Sequence, residues 1–299
     1  MYVILGASGN TGHIVARNLL AHGRKVRVVG RNAAHLQPLA AAGAEIFVGD
    51  VTDAASLTRS FQQADSAYLM IPPNPASNNV RSYQEKVSDA IALAVKNARL
   101  TNVVTLSSIG ADKPAGTGPV VGLHNLEQKL NQIEGMNVLH VRAGYFMENT
   151  LPQVGAIRMT GSVVGPLRAD LKLPMIATRD IGVSAAEALL RLDFRGKEIR
   201  ELHGQRDLDY TEAAAIIGKA IGNSGLGYVQ APEDQIRAAM VQMGMSQDFA
   251  GQILEMAGAL NRGDMRALEA RTSRNTTPTS FETFVGEVFV PAYQQAVAA

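Results

Sequence analysis

The first 32 residues constrain the fold of this chain most, because a strand, a glycine-rich turn and a helix follow one another there. Residues 2–5 (Tyr-Val-Ile-Leu) form a short apolar run, which predicts a buried strand. A Gly-x-x-Gly-x-x-Gly turn occupies residues 6–12, residues 13–20 place apolar side chains at helical spacing, and residues 26–29 supply a second strand. A strand, turn, helix and strand within about thirty residues is the pattern of a mononucleotide-binding unit.

The glycines of this turn have separate roles in such a unit. A phosphate is held by free backbone N–H groups at the positive N-terminus of a helix, so the backbone must approach it without a Cβ in the way. Gly6 permits the tight turn, Gly9 the close approach, and Gly12 the packing of the helix on the strand. The alternative is an ordinary strand-to-helix loop. We predict that a dinucleotide contacts Gly6, Ser8, Gly9, Asn10, Thr11 and Gly12.

The end of the second strand indicates which dinucleotide binds. An NAD enzyme usually places Asp or Glu there to accept hydrogen bonds from the ribose 2′-hydroxyl, whereas an arginine suits the 2′-phosphate of NADP. This chain has Arg31 at that position, and a guanidinium can bind a phosphate through two parallel hydrogen bonds. The alternative is a solvated arginine at a strand end. We therefore predict a preference for NADP(H) over NAD(H).

Strands and helices continue to alternate after residue 31, which predicts an α/β fold with a doubly wound parallel Rossmann sheet. We expect residues 1–150 to form an NAD(P)-binding Rossmann domain, with a later strand near 198–203 rejoining the sheet. Residues 151–299 are expected to form a smaller, mostly helical substrate or lid subdomain. The apolar runs predict further strands over 45–48, 65–71, 102–106 and 137–141, and helices over 33–42, 53–62, 78–97 and 123–133.

Ligands of such sheets bind beyond the carboxyl ends of the strands, so the residues after each strand are candidate site residues. After the third strand, Asp50 is expected to accept a hydrogen bond from the adenine amino group, with Val51 against the ring. Alternatively, Asp50 belongs to the turn and Thr52 or Asp53 caps the next helix. After the fourth strand, Ile71 and Pro72 are expected to form a stiff apolar wall beside the cofactor ribose. Alternatively, the prolines there only end the pairing of the strand.

The catalytic residues are less clearly indicated. Ser107 follows the fifth strand, where short-chain dehydrogenases place a serine that orients the substrate carbonyl; we also expect it to contact the cofactor. Those enzymes use a Tyr-x-x-x-Lys pair to supply the proton, yet none of the seven tyrosines here has a lysine four positions later. His124 occupies the expected region and could relay a proton, although a histidine at a helix start is often a structural polar residue.

The second half of the chain carries fewer chemical signals. Tyr145, Phe146 and Asn149 are expected to line a substrate pocket, and residues 149–164 to cross the cleft as a loop or hairpin. Residues 232–263 are rich in methionine. Such a stretch favours an adaptable core, and the alternative is a forgiving wall for an apolar ligand.

The composition excludes several classes of protein. There are no cysteines, so disulfides and thiolate chemistry are excluded, and no His pair has metal-binding spacing. The chain has 28 Lys plus Arg against 27 Asp plus Glu, which argues against direct nucleic-acid binding. No apolar run reaches the roughly 18 residues of a membrane span and no signal peptide precedes the first strand, so we expect a cytoplasmic protein without membrane contact.

Further segments carry a resemblance to one family. They are residues 124–127 (His-Asn-Leu-Glu), 141–149 (Val-Arg-Ala-Gly-Tyr-Phe-Met-Glu-Asn), 174–181, 210–218 and 278–285. With the glycine turn and Arg31, they resemble the NmrA-like family, atypical short-chain dehydrogenases. The resemblance covers nearly the whole chain. It implies either an NADPH-dependent reductase or a regulator that binds NAD(P) without chemistry. Reductase members often carry a lysine or histidine near position 124, and here only the histidine is present.

Two hypotheses about function remain, one for an enzyme and one for a regulatory protein. The first is an NADPH-dependent oxidoreductase that transfers hydride to a small planar acceptor such as a quinone, with the acceptor as its small-molecule partner. The second is a catalytically weak NADP(H)-sensing regulatory protein that binds a protein partner. A nucleotide-sugar epimerase is a distant third, because that chemistry depends on the missing tyrosine base. The sequence leaves the oligomeric state and the identity of the acceptor open.

Overall fold

A seven-stranded parallel sheet dominates the computed structural model, which describes residues 1–298. Its strand order is β3-β2-β1-β4-β5-β6-β10, so the predicted doubly wound sheet is confirmed, including the late strand that joins β6. Within these residues the strands are β1 Tyr2–Leu5, β2 Val26–Gly30, β3 Glu45–Val48, β4 Ser66–Leu69, β5 Asn102–Ser108, β6 Asn137–Ala143, β7 Tyr145–Phe146, β8 Val163–Gly165, β9 Leu173–Ile176, β10 Lys197–Leu202, β11 Asp207–Leu208 and β12 Tyr228–Gln230.

The helices cover both faces of this sheet and build the second half of the chain. They are α1 Asn10–Ala21, α2 Gln37–Ala41, α3 Ala54–Ser60, α4 Val80–Ala98, α5 Val120–Asn131, α6 Gln153–Thr160, α7 Thr178–Arg191, α8 Tyr210–Ile221, α9 Glu233–Gln242, α10 Gln247–Arg262, α11 Phe281–Phe284 and α12 Val290–Ala298. A 3₁₀ turn, Ala33–Leu36, precedes α2, and a π-helical turn, Val285–Phe289, joins α11 to α12. None of the helices within residues 1–298 is long and apolar enough to cross a membrane.

Two apolar cores lie on opposite faces of the sheet, because side chains of a strand alternate between the faces. On one face Ile4 packs with Val15 of α1 and Ile181 of α7. On the other face Leu5 packs with Ile91 of α4. Helices α1 and α7 approach each other closely, since a Cβ added at Gly182 would lie 2.6 Å from the Cβ of Ile14. Burial on both faces explains the nearly continuous apolar runs of β1 and β4.

A third apolar core is built by the later part of the chain. The short strands β11, β9 and β7 form a separate three-stranded sheet, and β12 pairs with β8. Met175, Tyr210 and Ile217 pack there with Phe281 and Phe284. The division into domains near residue 150 stays a prediction.

The segment 149–164 differs from its predicted loop or hairpin. Helix α6 occupies Gln153–Thr160, so that prediction is wrong. Pro152 stands directly before the helix, where a missing N–H costs nothing, and Gly161 ends it with φ +72. Ile157 is its only buried residue, so the apolar periodicity that identifies helices is nearly absent.

Candidate active site

The glycine turn between β1 and α1 has the geometry that its sequence predicts. Gly6 has φ +64, a left-handed conformation that glycine adopts without a Cβ clash. A Cβ at Gly12 would lie 2.4 Å from the Gly6 carbonyl oxygen, so the packing of helix on turn requires glycine there. Gly9 precedes α1 without a side-chain cap, and Ser8 and Asn10 beside it are exposed. The N-terminus of α1 is therefore open to an anion.

Thr11 has a structural partner that sequence reasoning missed. Its Oγ1 accepts a hydrogen bond of 2.9 Å from the buried Tyr68 hydroxyl of β4. Burial raises the pKa of Tyr68, so this hydroxyl keeps its proton. The pair ties the start of α1 to the centre of the sheet, which holds the turn in place.

Arg31, Asp50 and Tyr83 lie at the carboxyl edge near β2 and β3. Arg31 is exposed, and among residues 1–298 it has no hydrogen-bond or ion-pair partner. Burial raises the pKa of Tyr83, while the charge of Arg31 lowers it and that of Asp50 raises it, so all three groups are close enough to interact. These positions suit the 2′-phosphate end of a dinucleotide, and Arg31 has its donors free for it.

The acidic residues in the turn after β3 have structural roles, as predicted by the alternative to a contact between Asp50 and adenine. Asp53 caps α3 by accepting hydrogen bonds from the N–H groups of Ala55 and Ser56. The Asp50 Oδ1 accepts hydrogen bonds of 2.8 Å from both the N–H and the hydroxyl of Thr52. Val51 is buried. Contacts of Asp50 and Val51 with adenine stay predictions.

A cavity of about 650 Å³ lies beyond the carboxyl ends of β4, β5 and β6. Its walls are mostly apolar, and its roof is formed by α10 and by residues 263–271. Met70 joins the cavity to the glycine turn, because it lines the cavity and lies against Gly6. The predicted residues that line it are Ile71, Pro72, Ser107, Tyr145, Phe146 and Asn149.

The roof helix α10 supplies cavity residues that sequence reasoning did not assign. Phe249, Ile253, Met256 and Leu260 all line the cavity, and their spacing of four, three and four residues marks one face of a helix. That spacing was visible in the sequence. Met243 of the same methionine-rich stretch is 61% exposed, and Met240, Met245 and Met256 are only partly buried. Leu254, Ala257 and Leu260 of this stretch are nevertheless buried, and Met256 packs against the third apolar core and also lines the cavity. The stretch therefore contributes to the core, and Met256 forms part of an apolar wall as well.

The roof is fastened to the sheet edge by a buried carboxylate. Glu201 of β10 accepts hydrogen bonds from the N–H groups of Leu268 and Glu269, and its Oε2 lies 3.5 Å from the His203 Nε2. Burial raises the pKa of Glu201, but the neighbouring His203 and the hydrogen bonds from these two N–H groups together hold the pKa below its usual range. Arg271 adds an ion pair with Asp207. Among residues 1–298 no group of three His, Asp or Glu side chains is arranged to hold a metal.

Ser107 lines the cavity, but its hydroxyl donates a hydrogen bond to a buried ion pair. Its Oγ donates a 2.6 Å hydrogen bond to Glu127 Oε1. Arg142 donates to both carboxylate oxygens of Glu127, from Nε at 3.0 Å and from Nη2 at 2.6 Å. Burial lowers the pKa of Arg142, but the hydrogen bonds and charge of Glu127 outweigh this and raise it. Ser107 therefore offers oxygen lone pairs to the cavity, whereas its proton is engaged.

His124 lies on the first turns of α5 and is absent from the residues that line the cavity. Its Nδ1 is 2.8 Å from the Ala111 carbonyl oxygen, which can only accept, so Nδ1 carries a proton and donates it. Leu123 lines the cavity instead. This geometry favours the structural alternative for His124, and its catalytic role stays a prediction without a contact to support it.

Tyr145 is the cavity residue with the most developed hydrogen-bond environment. It begins β7, one residue beyond the Gly144 that follows β6, and its hydroxyl lies 3.0 Å from the hydroxyl of Tyr210. The ring of Tyr210 packs against Tyr228 with centroids 4.9 Å apart, and the Tyr228 hydroxyl donates to the Leu167 carbonyl at 2.7 Å. Burial raises the pKa of Tyr145, and hydrogen bonding of the Tyr210 and Asn149 side chains to its oxygen opposes this rise.

The chain is similar to known proteins in sequence and in fold. The model of the NmrA-like family matches residues 2–285. An NAD(P)H azoreductase of Xenophilus azovorans is 28% identical over 258 residues, which are 86% of each chain. An NADPH-dependent quinone oxidoreductase of Escherichia coli, solved with NADPH, has a TM-score of 0.81 and 24% identity and covers 97% of this chain and 100% of its own.

A regulator has the same fold. NmrA, a negative transcriptional regulator solved with NADP, has a TM-score of 0.67 and 16% identity and covers 99% of this chain and 97% of its own. At these identities the two solved structures share the fold with this chain. The match of the family model to nearly the entire length shows more: the chain belongs to the NmrA-like family.

Proposed function

We propose that this protein is an NADPH-dependent reductase that transfers hydride to a small planar acceptor such as a quinone. The observation that carries the proposal is the apolar cavity of about 650 Å³ under α10, which Met70 connects to the glycine turn. A volume of this size suits a small aromatic molecule beside a nicotinamide ring. The names of the azoreductase and the quinone oxidoreductase support an acceptor of this kind.

The residues around the turn fit an NAD(P) dinucleotide. A Cβ at Gly12 would collide with the Gly6 carbonyl, so the turn keeps the bare backbone that a pyrophosphate requires, and the uncapped N-terminus of α1 offers donors. Arg31 supplies a free guanidinium for a 2′-phosphate, which supports NADP(H) over NAD(H). When bound, the cofactor supplies hydride, and the protein contributes binding, orientation and exclusion of water.

The cavity walls suit reduction of a quinone. Pro72, Phe146 and Met256, from three different parts of the chain, present apolar surface to the cavity, which favours a flat apolar ring over a charged or sugar substrate. Hydride transfer to a quinone leaves negative charge on an oxygen, which a hydrogen-bond donor stabilises and solvent protonates. The reaction therefore has no need for the Tyr-x-x-x-Lys pair that alcohol oxidation uses.

A second candidate is an NADP(H)-sensing regulator. It is favoured by the engagement of both groups that the sequence nominated as catalytic: Ser107 donates to Glu127, and His124 donates to Ala111 outside the cavity. The likeness of the fold to NmrA is compatible with it. In this case the cavity would be closed by a protein partner or a small effector, and NADPH would bind without turnover.

A single titration separates the two candidates. The purified protein is titrated with NADPH and, separately, with NADH, and binding is followed by nicotinamide fluorescence. A panel of benzoquinones and naphthoquinones is then added while the absorbance of the reduced nicotinamide is recorded. Saturable oxidation of NADPH that depends on the quinone is expected for the reductase. Tight binding of NADPH without oxidation by any quinone would reject the reductase and favour the regulator.

A further inference from the structure

The hydroxyls of Tyr145 and Tyr210 share one hydrogen bond, which either of them could donate. Only one of these two directions leaves no buried O–H group without an acceptor. Tyr210 is 4% exposed, and within residues 1–298 the Tyr145 hydroxyl is the only hydrogen-bond partner of its hydroxyl. If Tyr145 donated to Tyr210, the Tyr210 proton would be buried without an acceptor, which is costly. Tyr210 therefore donates to Tyr145.

This direction leaves the proton of Tyr145 free. The Tyr145 oxygen accepts a hydrogen bond from the Tyr210 hydroxyl, with the two oxygens 3.0 Å apart. Tyr145 and Asn149 both line the cavity. Burial raises the pKa of Tyr145, so the phenol stays protonated at neutral pH. A hydroxyl whose oxygen accepts a hydrogen bond is also a stronger donor, because bonds in a chain polarise one another.

The end of β6 fixes the backbone that leads to Tyr145, and Tyr145 itself pairs with Met175 of β9. Ala143, at the end of β6, pairs with Ser108 of β5 on one side and with Leu202 of β10 on the other. The Gly144 N–H donates to the Leu202 carbonyl at 2.9 Å, which fixes the backbone directly before Tyr145. The phenol therefore stands on a rigid element, as a group that must meet a substrate atom requires.

We propose that Tyr145 donates a hydrogen bond to the acceptor oxygen on which negative charge develops during hydride transfer, and that Tyr210 is the residue that positions it. The inference rests on the proposed reductase function. In the reaction, a quinone gains two electrons and one hydrogen as hydride from NADPH and becomes a hydroquinone anion, and NADP⁺ is released. A solvent proton completes the hydroquinone, while Tyr145 keeps its own proton throughout.

The first test compares Tyr145→Phe with Tyr2→Phe. Both changes remove one phenol oxygen, but Tyr2 begins β1 at the opposite end of the strands and does not line the cavity. We expect Tyr145→Phe to lower kcat for quinone reduction by about 10- to 100-fold, the value of one hydrogen bond to a developing charge. The dissociation constant of Tyr145→Phe for NADPH and the kcat of Tyr2→Phe should stay within about twofold of wild type. An unchanged kcat in Tyr145→Phe, with wild type active, would overturn the inference and leave the reductase standing.

A second test addresses Tyr210. If Tyr210 acts through Tyr145, Tyr210→Phe lowers kcat by less than Tyr145→Phe, and the double variant is no slower than Tyr145→Phe alone. Fully additive losses would mean that Tyr210 merely supports the fold and would overturn its positioning role. Circular dichroism of each variant confirms that the same fold is compared.

A third test does not depend on turnover. The anion of 4-nitrophenol carries its charge on a phenolic oxygen, as the reduced acceptor does, and its absorbance reports its ionisation state. We expect wild type with bound NADP⁺ to bind this anion about tenfold more tightly than Tyr145→Phe does. Equal affinity would overturn the donor role. If wild type binds the anion in this manner but oxidises no NADPH with any quinone, the proposed reductase fails while the donor at Tyr145 stands.

Discussion

Removal of the Glu127 carboxylate is expected to be among the most destabilising single changes in this protein. Glu127 is 2% exposed and accepts hydrogen bonds from Ser107 and from two nitrogens of Arg142, which is itself 5% exposed. Glu127→Ala removes the carboxylate that is hydrogen-bonded to the buried Arg142 cation, and only the more weakly acting charges of Asp112 and Glu201 remain near it. Such a loss costs about 3–5 kcal/mol, and the free energy of unfolding should fall by that amount.

Two control variants separate charge burial from other causes. In Glu127→Leu/Arg142→Met, both charges are replaced by apolar side chains of similar length, so no cation remains buried. A buried ion pair often gives no net stabilisation over apolar residues, and the double variant should therefore recover most of the loss. Glu187→Ala removes the partner of Arg191 from an exposed pair, which should cost less than about 0.5 kcal/mol.

The assay is urea unfolding at pH 7, followed by far-UV circular dichroism, with the slope m compared between variants to check that the transition is unchanged. If Glu127→Ala lowered the free energy of unfolding by less than about 1 kcal/mol, the reasoning would be refuted, because removing the partner of a buried arginine is expected to cost several times more. A double variant that is less stable than Glu127→Ala would also refute it, because shape and not charge would then dominate the site.

Three further predictions concern the cofactor, the nominated catalytic histidine and a buried histidine. Arg31→Glu should weaken NADPH binding by about 1.5–3 kcal/mol more than NADH binding, and equal losses in fluorescence titrations would contradict an NADP(H) preference. His124→Ala should lower kcat by less than about tenfold; a loss above about a hundredfold in steady-state quinone reduction would show that His124 is a general acid. His140 is fully buried, and burial lowers its pKa to about 4. The unfolded chain, with a His pKa near 6.5, thus binds more protons in this range, so about 3 kcal/mol of stability present above pH 6.5 is lost as the pH falls towards 4. Urea titrations from pH 7 to 4.5 should show a smaller loss in His140→Gln, and identical pH profiles for the two proteins would exclude this contribution.

The fold was predictable because its signals are local. The glycine turn and the alternation of strand and helix patterns both lie within short windows, and rules for parallel sheets convert them into an architecture. The same rules explain why Ile71, Ser107 and Tyr145 all line one cavity, since each lies at or just beyond the carboxyl end of a different strand. Their contacts with a cofactor or substrate stay predictions. Helix α6 escaped prediction because a single buried residue, Ile157, leaves no apolar period to recognise.

The partners of the site residues were not predictable, because they are distant in the sequence. Tyr145 and Tyr210 are 65 residues apart, and Tyr68 and Thr11 are 57 residues apart. No periodic pattern in the sequence links such positions. The hydrogen-bond partner of a tyrosine hydroxyl is set by the tertiary structure around it. Glu127 lies within a segment that resembles the family, but the sequence does not show that its carboxylate pairs with Arg142 of β6. That ion pair appears only in the structure.

The direction of these hydrogen bonds argues for reduction over alcohol oxidation. Oxidation of an alcohol needs a group at the reacting carbon that accepts the hydroxyl proton. Ser107 cannot pass such a proton to Glu127 without weakening the ion pair that neutralises buried Arg142, and Tyr145, whose pKa burial raises, holds its proton at neutral pH. Reduction of a quinone needs a donor at the oxygen and nothing more from these two residues. The absence of a lysine four positions after any tyrosine is then no defect of the site, because lowering the pKa of Tyr145 would remove the donor on which the proposed reaction depends.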